Sequence, residues 1–283
     1  MMNTQTRRRF LQSAAVATAV SLTQRPVKAA TTGQKADLTA KPAFKLGMAS
    51  YTFRAFPLEQ TIEMTARLGL KYIAFKSMHL PLESSDEQIA KVVAKVRQAG
   101  LELYGGGVIY MNTADEVNRA FDYAKAAGMK VIIGVPKHDL LGLVDEKVKQ
   151  FDIKVAIHNH GPGDQLYPTP ESAYEKIKGL DKRIGLCIDV GHAQRSGIDP
   201  SDPAEKYADR LIDIHIKDVD AATAEGKTIE MGRGVIDIPK LLRTLVKTNY
   251  RGVAAFEFEK DEKDTLPGVA ESVGFTRGVL ATL

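Results

Sequence analysis

Eight short apolar runs, each followed by an amphipathic stretch, constrain this chain more than any other feature it has. The runs cover residues 45–49, 72–75, 101–105, 130–134, 154–158, 184–189, 211–216 and 252–258. Their length and apolar character predict β-strands. The stretches between them carry apolar residues at helical spacing. In 58–68, Ile62, Thr65, Ala66 and Leu68 fall on one face, and in 86–99 so do Ile89, Val92, Val93 and Val96. Further helical patterns cover 113–127, 140–150, 170–179, 203–208, 238–248 and 266–280. Gly69, Gly100, Gly128 and Gly179 follow four of these stretches, as residues that accept the left-handed conformation closing a helix. Asp86, Thr113 and Thr169 stand where N-caps belong.

Strands alternating with helices predict a parallel sheet with helical crossovers. Eight such units in a chain of this length favour a closed barrel over an open sheet. No GxGxxG follows a strand, which removes the usual dinucleotide-binding reading. The expected fold class is α/β, a single (β/α)8 TIM barrel with parallel strands over residues 43–283.

The N-terminus differs from the rest. Arg7, Arg8 and Arg9 precede Phe10 and Leu11, a soft apolar stretch follows to Leu22, and Val27-Lys28-Ala29 resembles a cleavage site. Residues 1–29 therefore read as a signal peptide of twin-arginine type, and 30–42 as a polar linker. This predicts a periplasmic or otherwise exported protein, with no membrane association after cleavage. The leader contains five basic residues (Arg7, Arg8, Arg9, Arg25, Lys28) and no acid. Without it, 34 basic residues face 35 acidic ones, against a net charge of +4 for the full chain. No excess of positive charge remains to bind a phosphate backbone, so a nucleic-acid partner is not expected. The single cysteine, Cys187, lies in an apolar run and is expected to be a buried, inert thiol.

In a barrel of this kind the active site lies at the C-terminal ends of the strands. Early runs end with Ser50 and Tyr51, then with Lys76 and His79. The last four are richer. They finish His158-Asn159-His160, Asp189-Val190-Gly191-His192, His215-Ile216-Lys217-Asp218 and Glu257-Phe258-Glu259. Each of these residues alone has a bland reading as a structural histidine, a helix cap or a surface ion pair. Four coincidences on successive strand ends predict convergence on one divalent cation, since imidazole and carboxylate suit Mn, Co, Zn or Mg. The expected metal ligands are His158, Asp189, His215 and Glu257. Residues two apart on a strand share a face, which sets His160 beside His158 and Lys217 beside His215; these two and His192, just beyond Asp189, are expected to act on substrate. Lys76, Glu259 and Arg233 are the substrate-binding candidates. Arg233 is expected over the mouth because Gly232 and Gly234 flank it. Gly105-Gly106-Gly107 reads as a slim rim after the third strand.

These residues resemble the sugar phosphate isomerase/epimerase family of xylose-isomerase-like barrels. The likeness covers the chain after about Ala43 and is most specific from Ile157 to Glu259. It implies one divalent metal held by the last four strands, at His158, Asp189, His215 and Glu257. Epimerases of the family usually carry Glu at the position of His158, whereas inosose-dehydratase-like members often carry His-Asn-His there. Many relatives also place an acid where Lys76 stands. An exported subgroup that resembles this chain is associated with cleavage of 3-keto-glycosides by elimination across C1 and C2.

The expected activity is thus proton abstraction beside a sugar carbonyl. Elimination would give a lyase, and reprotonation an isomerase or epimerase. A non-catalytic sugar-binding barrel is the alternative of another class. The expected partner is a small carbohydrate, and a homo-oligomer is compatible with the sequence.

Overall fold

The structure, a computed structural model, describes residues 42–283. The leader and nearly all of the linker lie outside the described residues. Strands β1 (Lys45–Ala49), β2 (Tyr72–Phe75), β3 (Glu102–Met111), β4 (Val131–Pro136), β5 (Lys154–His158), β6 (Ile184–Asp189), β7 (Leu211–Ile216) and β10 (Val253–Phe256) pair in parallel. They close into a barrel in the order β1-β10-β7-β6-β5-β4-β3-β2. Two further two-residue strands, β8 (Asp218–Val219) and β9 (Thr228–Ile229), form an antiparallel ribbon just after β7.

Helices α1 (Leu58–Arg67), α2 (Asp86–Gln98), α3 (Ala114–Ala127), α4 (Leu141–Phe151), α5 (Pro170–Ile177), α8 (Ile238–Lys247) and α9 (Thr265–Leu280) occupy the predicted stretches. Local chemistry fixes their starts. Thr169 caps α5 with a reciprocal bond to Ser172, and Pro170 supplies a preset φ at the first turn. The cap of α2 is Ser85 rather than Asp86: Ser85 and Gln88 form a capping box, and Asp86 becomes the first helical residue. Gly69, Gly100 and Gly128 adopt positive φ as expected, whereas Gly179 does not. Between β6 and β7 the chain forms two six-residue helices, α6 (Val190–Arg195) and α7 (Ser201–Lys206). Neither is long enough to show helical periodicity of its own.

Two cores result. The larger one lies between barrel and helices and contains Ile73, Phe121, Ile132, Ile188, Ile214 and Leu241. The smaller fills the barrel lumen with Ala49, Ala74, Tyr104, Ile133, Ala156, Cys187 and Ala255. Small residues there admit the ring of Tyr104 and leave the lumen packed beneath the site. Cys187 is buried among them, and burial raises its thiol pKa.

The glycine run 105–107 does not follow the third strand as a rim. It lies inside β3, which continues to Met111 and pairs with β4 up to Pro136. A Cβ on Gly105 would approach the Val131 carbonyl oxygen to 2.8 Å, so glycine permits the close strand contact. The longer strand carries Val108 and Tyr110 out over the mouth.

Candidate active site

Four strand ends meet at the C-terminal mouth, and pairing aligns them. Cys187 of β6 is level with His158 of β5, and Asp189 of β6 is level with His215 of β7. The Asn159 side chain locks β5 to β6. Its Nδ2 donates to the Asp189 carbonyl at 3.2 Å, and its Oδ1 accepts from the Asp189 N–H at 3.0 Å. Asp189 divides its carboxylate. Oδ1 accepts the His192 N–H at 2.8 Å and caps α6, while Oδ2 turns into the site, 2.9 Å from the Lys217 ammonium. One oxygen of Asp189 therefore caps the helix, and the other faces the site.

His158, Asp189, His215 and Glu257 are buried, and each offers an atom within 4.8 Å of the others. His158 Nε2 lies 3.2 Å from His215 Nδ1 and 3.5 Å from Asp189 Oδ2. His215 Nδ1 lies 3.2 Å from Glu257 Oε2. A divalent ion with bonds of about 2.0–2.2 Å spaces neighbouring donors about 3–3.6 Å apart. Two nitrogens and two carboxylate oxygens at these separations fit such an ion.

Electrostatics agree with that donor chemistry. Burial pulls the His158 pKa down to about 3, so its imidazole is neutral and able to ligate. Burial alone would raise the Asp189 and Glu257 carboxyls. The Lys217 ammonium outweighs it and holds both well below the usual carboxylate range, helped by His192 at Asp189 and by His215 at Glu257. His215 is pushed the other way: burial opposes its charge, but Glu257 prevails and raises its pKa.

Lys217 departs from expectation. Its ammonium does not line the pocket. It is buried, 2.9 Å from Asp189 Oδ2, 2.7 Å from Glu257 Oε2 and 2.6 Å from Glu259 Oε1. Three carboxylates claim a side chain that sequence reasoning assigns to substrate. A glycine makes room for it, since a Cβ on Gly191 would meet Lys217 Cδ at 2.6 Å.

Above the four-residue cluster opens a cavity of about 320 Å³, lined by Tyr51, Lys76, Tyr110, His160, His192 and Glu259 together with His158 and Glu257 of the cluster. This size admits a monosaccharide. Lys76 Nζ donates to the Val108 carbonyl at 2.7 Å, and burial lowers its pKa. Tyr110 stacks on His160, its hydroxyl 3.1 Å from Nε2. Sequence reasoning gives no role to Tyr110 or Asn159. Tyr110 lies beyond the predicted end of its strand, and Asn159 is hidden between two histidines.

The two pocket histidines are chemically distinct. Arg195 Nη2 lies 3.3 Å from His192 Nδ1. Arginine only donates, so Nδ1 must accept and neutral His192 carries its proton on Nε2. His160 has an Nδ1 with no hydrogen-bond partner, 3.6 Å from Asp164 Oδ2. Burial is the main cause that lowers both pKa values.

Arg233 is a correction. Its guanidinium forms a two-pronged pair with the exposed Glu271 of α9, at 2.5 and 2.7 Å, and does not line the cavity. The flanking glycines serve Asp218 instead. That buried carboxylate accepts the N–H groups of Val219, Gly232, Gly234 and Ile236 at 2.9–3.1 Å, which wraps the loop around it and turns Arg233 outward.

A parallel (β/α)8 barrel with a two-imidazole, two-carboxylate donor set at its C-terminal mouth is the class that fold and site define. The chain matches the family described as Xylose isomerase-like TIM barrel over residues 57–279, and it belongs to that family. The rhizopine catabolism protein MocC of Rhizobium meliloti is 30% identical over 137 residues, 43% of this chain and 42% of that protein. An inosose dehydratase of Bacillus velezensis is 30% identical over 129 residues, 40% of this chain and 42% of the relative. The match thus spans less than half the length of these curated relatives. Among solved structures, an L-ribulose 3-epimerase superposes with a TM-score of 0.68 at 19% identity, covering 84% of this chain and 95% of that one. A probable 3-DHS dehydratase, AsbF of Bacillus anthracis, gives 0.65 at 13% identity, covering 83% and 100%. At these identities the two structures establish shared fold.

Proposed function

We propose that the protein is a divalent-metal-dependent enzyme that abstracts a proton beside the carbonyl of a small carbohydrate and eliminates the group at the adjacent carbon, acting as a lyase on 3-keto-glycosides. The observation that carries this reading is the four-residue donor cluster opening directly into a cavity with two differently wired histidines. The named dehydratases among the relatives support it, and Arg7-Arg8-Arg9 with the following apolar stretch supports placement in the periplasm.

His158, Asp189, His215 and Glu257 would hold the ion. When bound, it would supply Lewis acidity that polarises the ketone and acidifies the proton on the adjacent carbon, C2. His160 takes the C2 proton, because it lines the cavity and its lowered pKa keeps it neutral. The electron pair left at C2 forms the C1=C2 bond as the C1–O bond breaks, and the leaving oxygen takes that bond's pair. His192, with its proton on Nε2, donates to the leaving oxygen. The products are the free alcohol and a ring enone. Lys76 holds a hydroxyl at the β2 side of the cavity.

Reprotonation at C2 in place of bond cleavage would make the same residues an isomerase or epimerase. His158 favours the lyase, since a neutral imidazole there leaves Glu257 without the second glutamate that a two-carboxylate proton exchange uses. The test is turnover of 3-keto-glucosides by the purified protein, with added Mn, Co, Mg or Zn and with chelator. Metal-dependent alcohol release supports the reading. Ketose interconversion without release would replace it with the isomerase, and binding without product would leave a sugar-binding barrel.

A further inference from the structure

Beside the sugar-sized cavity lies a second, larger one of about 430 Å³. The two share a wall, Glu259. Segments just beyond three of the ligand-bearing strands build the second cavity. After β6, helix α6 presents His192 to the first cavity and Arg195 to the second. After β7, the β8–β9 ribbon supplies Lys227, Thr228 and Ile229. After β10, the chain passes from Glu257 through Glu259 to Lys260. The walls of the two chambers are tied together, because Arg195 donates to the His192 ring and lies 3.4 Å from the Gly226 carbonyl at the ribbon turn.

The lining indicates what it would accept. Ile229 and the Thr228 methyl give an apolar surface beside three cations. Two of those cations are engaged: Lys260 with Glu230 at 2.8 and 3.0 Å, and Arg195 with the Gly191 and Gly226 carbonyls and His192. The Asp220 carboxylate in the same wall accepts the Lys227 backbone N–H at 2.7 Å. The Lys227 ammonium itself makes no hydrogen bond or ion pair among the described residues.

From this we propose that the second chamber binds the leaving group of a two-part substrate. The sugar ring occupies the first cavity, and an oxygen-linked ring attached at its anomeric carbon lies against Thr228 and Ile229, with an acceptor oxygen presented to Lys227. The proposal rests on the lyase reading and deepens it. A free monosaccharide would leave the larger chamber without a ligand, whereas an aryl glycoside fills both.

The test uses unreactive ligands, so it does not depend on turnover. Methyl glucoside and 4-nitrophenyl glucoside lack the ketone and cannot eliminate. Calorimetric titration of the wild-type protein should give at least tenfold tighter binding of the 4-nitrophenyl compound. Lys227→Ala and Thr228→Trp, at exposed and half-buried ribbon positions, should each remove most of that preference and leave methyl glucoside affinity within twofold. Equal affinities in the wild type, no binding of either glucoside, or a preference that survives both substitutions would overturn the chamber assignment. Steady-state kinetics on the matching 3-keto-glucosides separates the two ideas. A binding preference without alcohol release would sink the lyase reading alone, and alcohol release without a preference would sink the chamber alone.

Discussion

Lys217 Nζ lies 2.7 Å from Glu257 Oε2 and also 2.9 Å from Asp189 Oδ2, so one ammonium touches two of the four atoms that would bind a divalent ion. An ammonium and a metal ion compete for the same negative charge. Lys217→Met should therefore tighten divalent-ion binding by tenfold or more. In metal-free protein the same change leaves buried carboxylates uncompensated, at a cost of about 3–5 kcal/mol, which lowers Tm by roughly 10 °C. Saturating metal should recover most of that loss. Titration calorimetry and thermal unfolding with and without Mn²⁺ check both effects, and weaker metal binding by the variant would contradict the argument.

His160 and His192 line the cavity without belonging to the four-residue cluster. His160→Ala and His192→Ala should keep metal stoichiometry and lose turnover by about 10²–10⁴-fold, the usual contribution of a positioned acid or base. Metal analysis beside kcat separates this from collapse of the site. An unchanged kcat in either variant removes that histidine from the mechanism.

Asp218 organises the loop after the ribbon by accepting four backbone N–H groups. Asp218→Ala leaves these donors without their charged acceptor. It should cost about 3 kcal/mol or more, since bonds to charged groups contribute about 1.5–3 kcal/mol each and recovery by water is partial. Denaturant unfolding measures this, and a loss below about 1 kcal/mol would refute the role.

His79 gives a pH prediction. Its Nε2 donates to the Phe56 carbonyl at 3.0 Å, so neutral His79 accepts from Ser50 Oγ at Nδ1, 2.9 Å away. Ser50 Oγ in turn accepts the Lys76 N–H at 2.8 Å, which ties the end of β1 to the end of β2. Burial depresses the His79 pKa below its ordinary value. Between the two pKa values the unfolded chain binds the extra proton, so stability rises with pH there. The contribution is present above about pH 6.5 and is lost as pH falls through the folded pKa. Replacing His79 with Gln should flatten the fall in Tm below that pH, as followed by circular dichroism. An unaltered slope would exclude His79 as the source.

The barrel was legible because βα alternation leaves a strong periodic trace, and strands β1, β2, β5, β6 and β7 keep their predicted limits. The four donor residues were legible because strand ends converge in such a barrel wherever the intervening helices lie. Other features depend on contacts between distant residues. The length of β3 follows from glycine-enabled pairing with β4 through residues that read as a rim beyond the strand. Helix α6 is too short for periodicity and owes its start to one oxygen of Asp189. Arg233 faces outward because Asp218, well before it in sequence, organises the loop that carries it. Lys217 is buried because carboxylates from β6 and from the end of β10 surround it, a relation no local window contains.

The central claim is one divalent ion shared by His158, Asp189, His215 and Glu257. Titration of chelator-stripped protein with Mn²⁺, followed by electron paramagnetic resonance, tests it most directly. The account predicts one site per chain in the wild type, abolished by Asp189→Asn and by His215→Ala, with alcohol release from 3-keto-glucosides lost in step. A folded wild-type protein that binds no divalent ion, or an Asp189→Asn protein that binds it as tightly as the wild type, would contradict it.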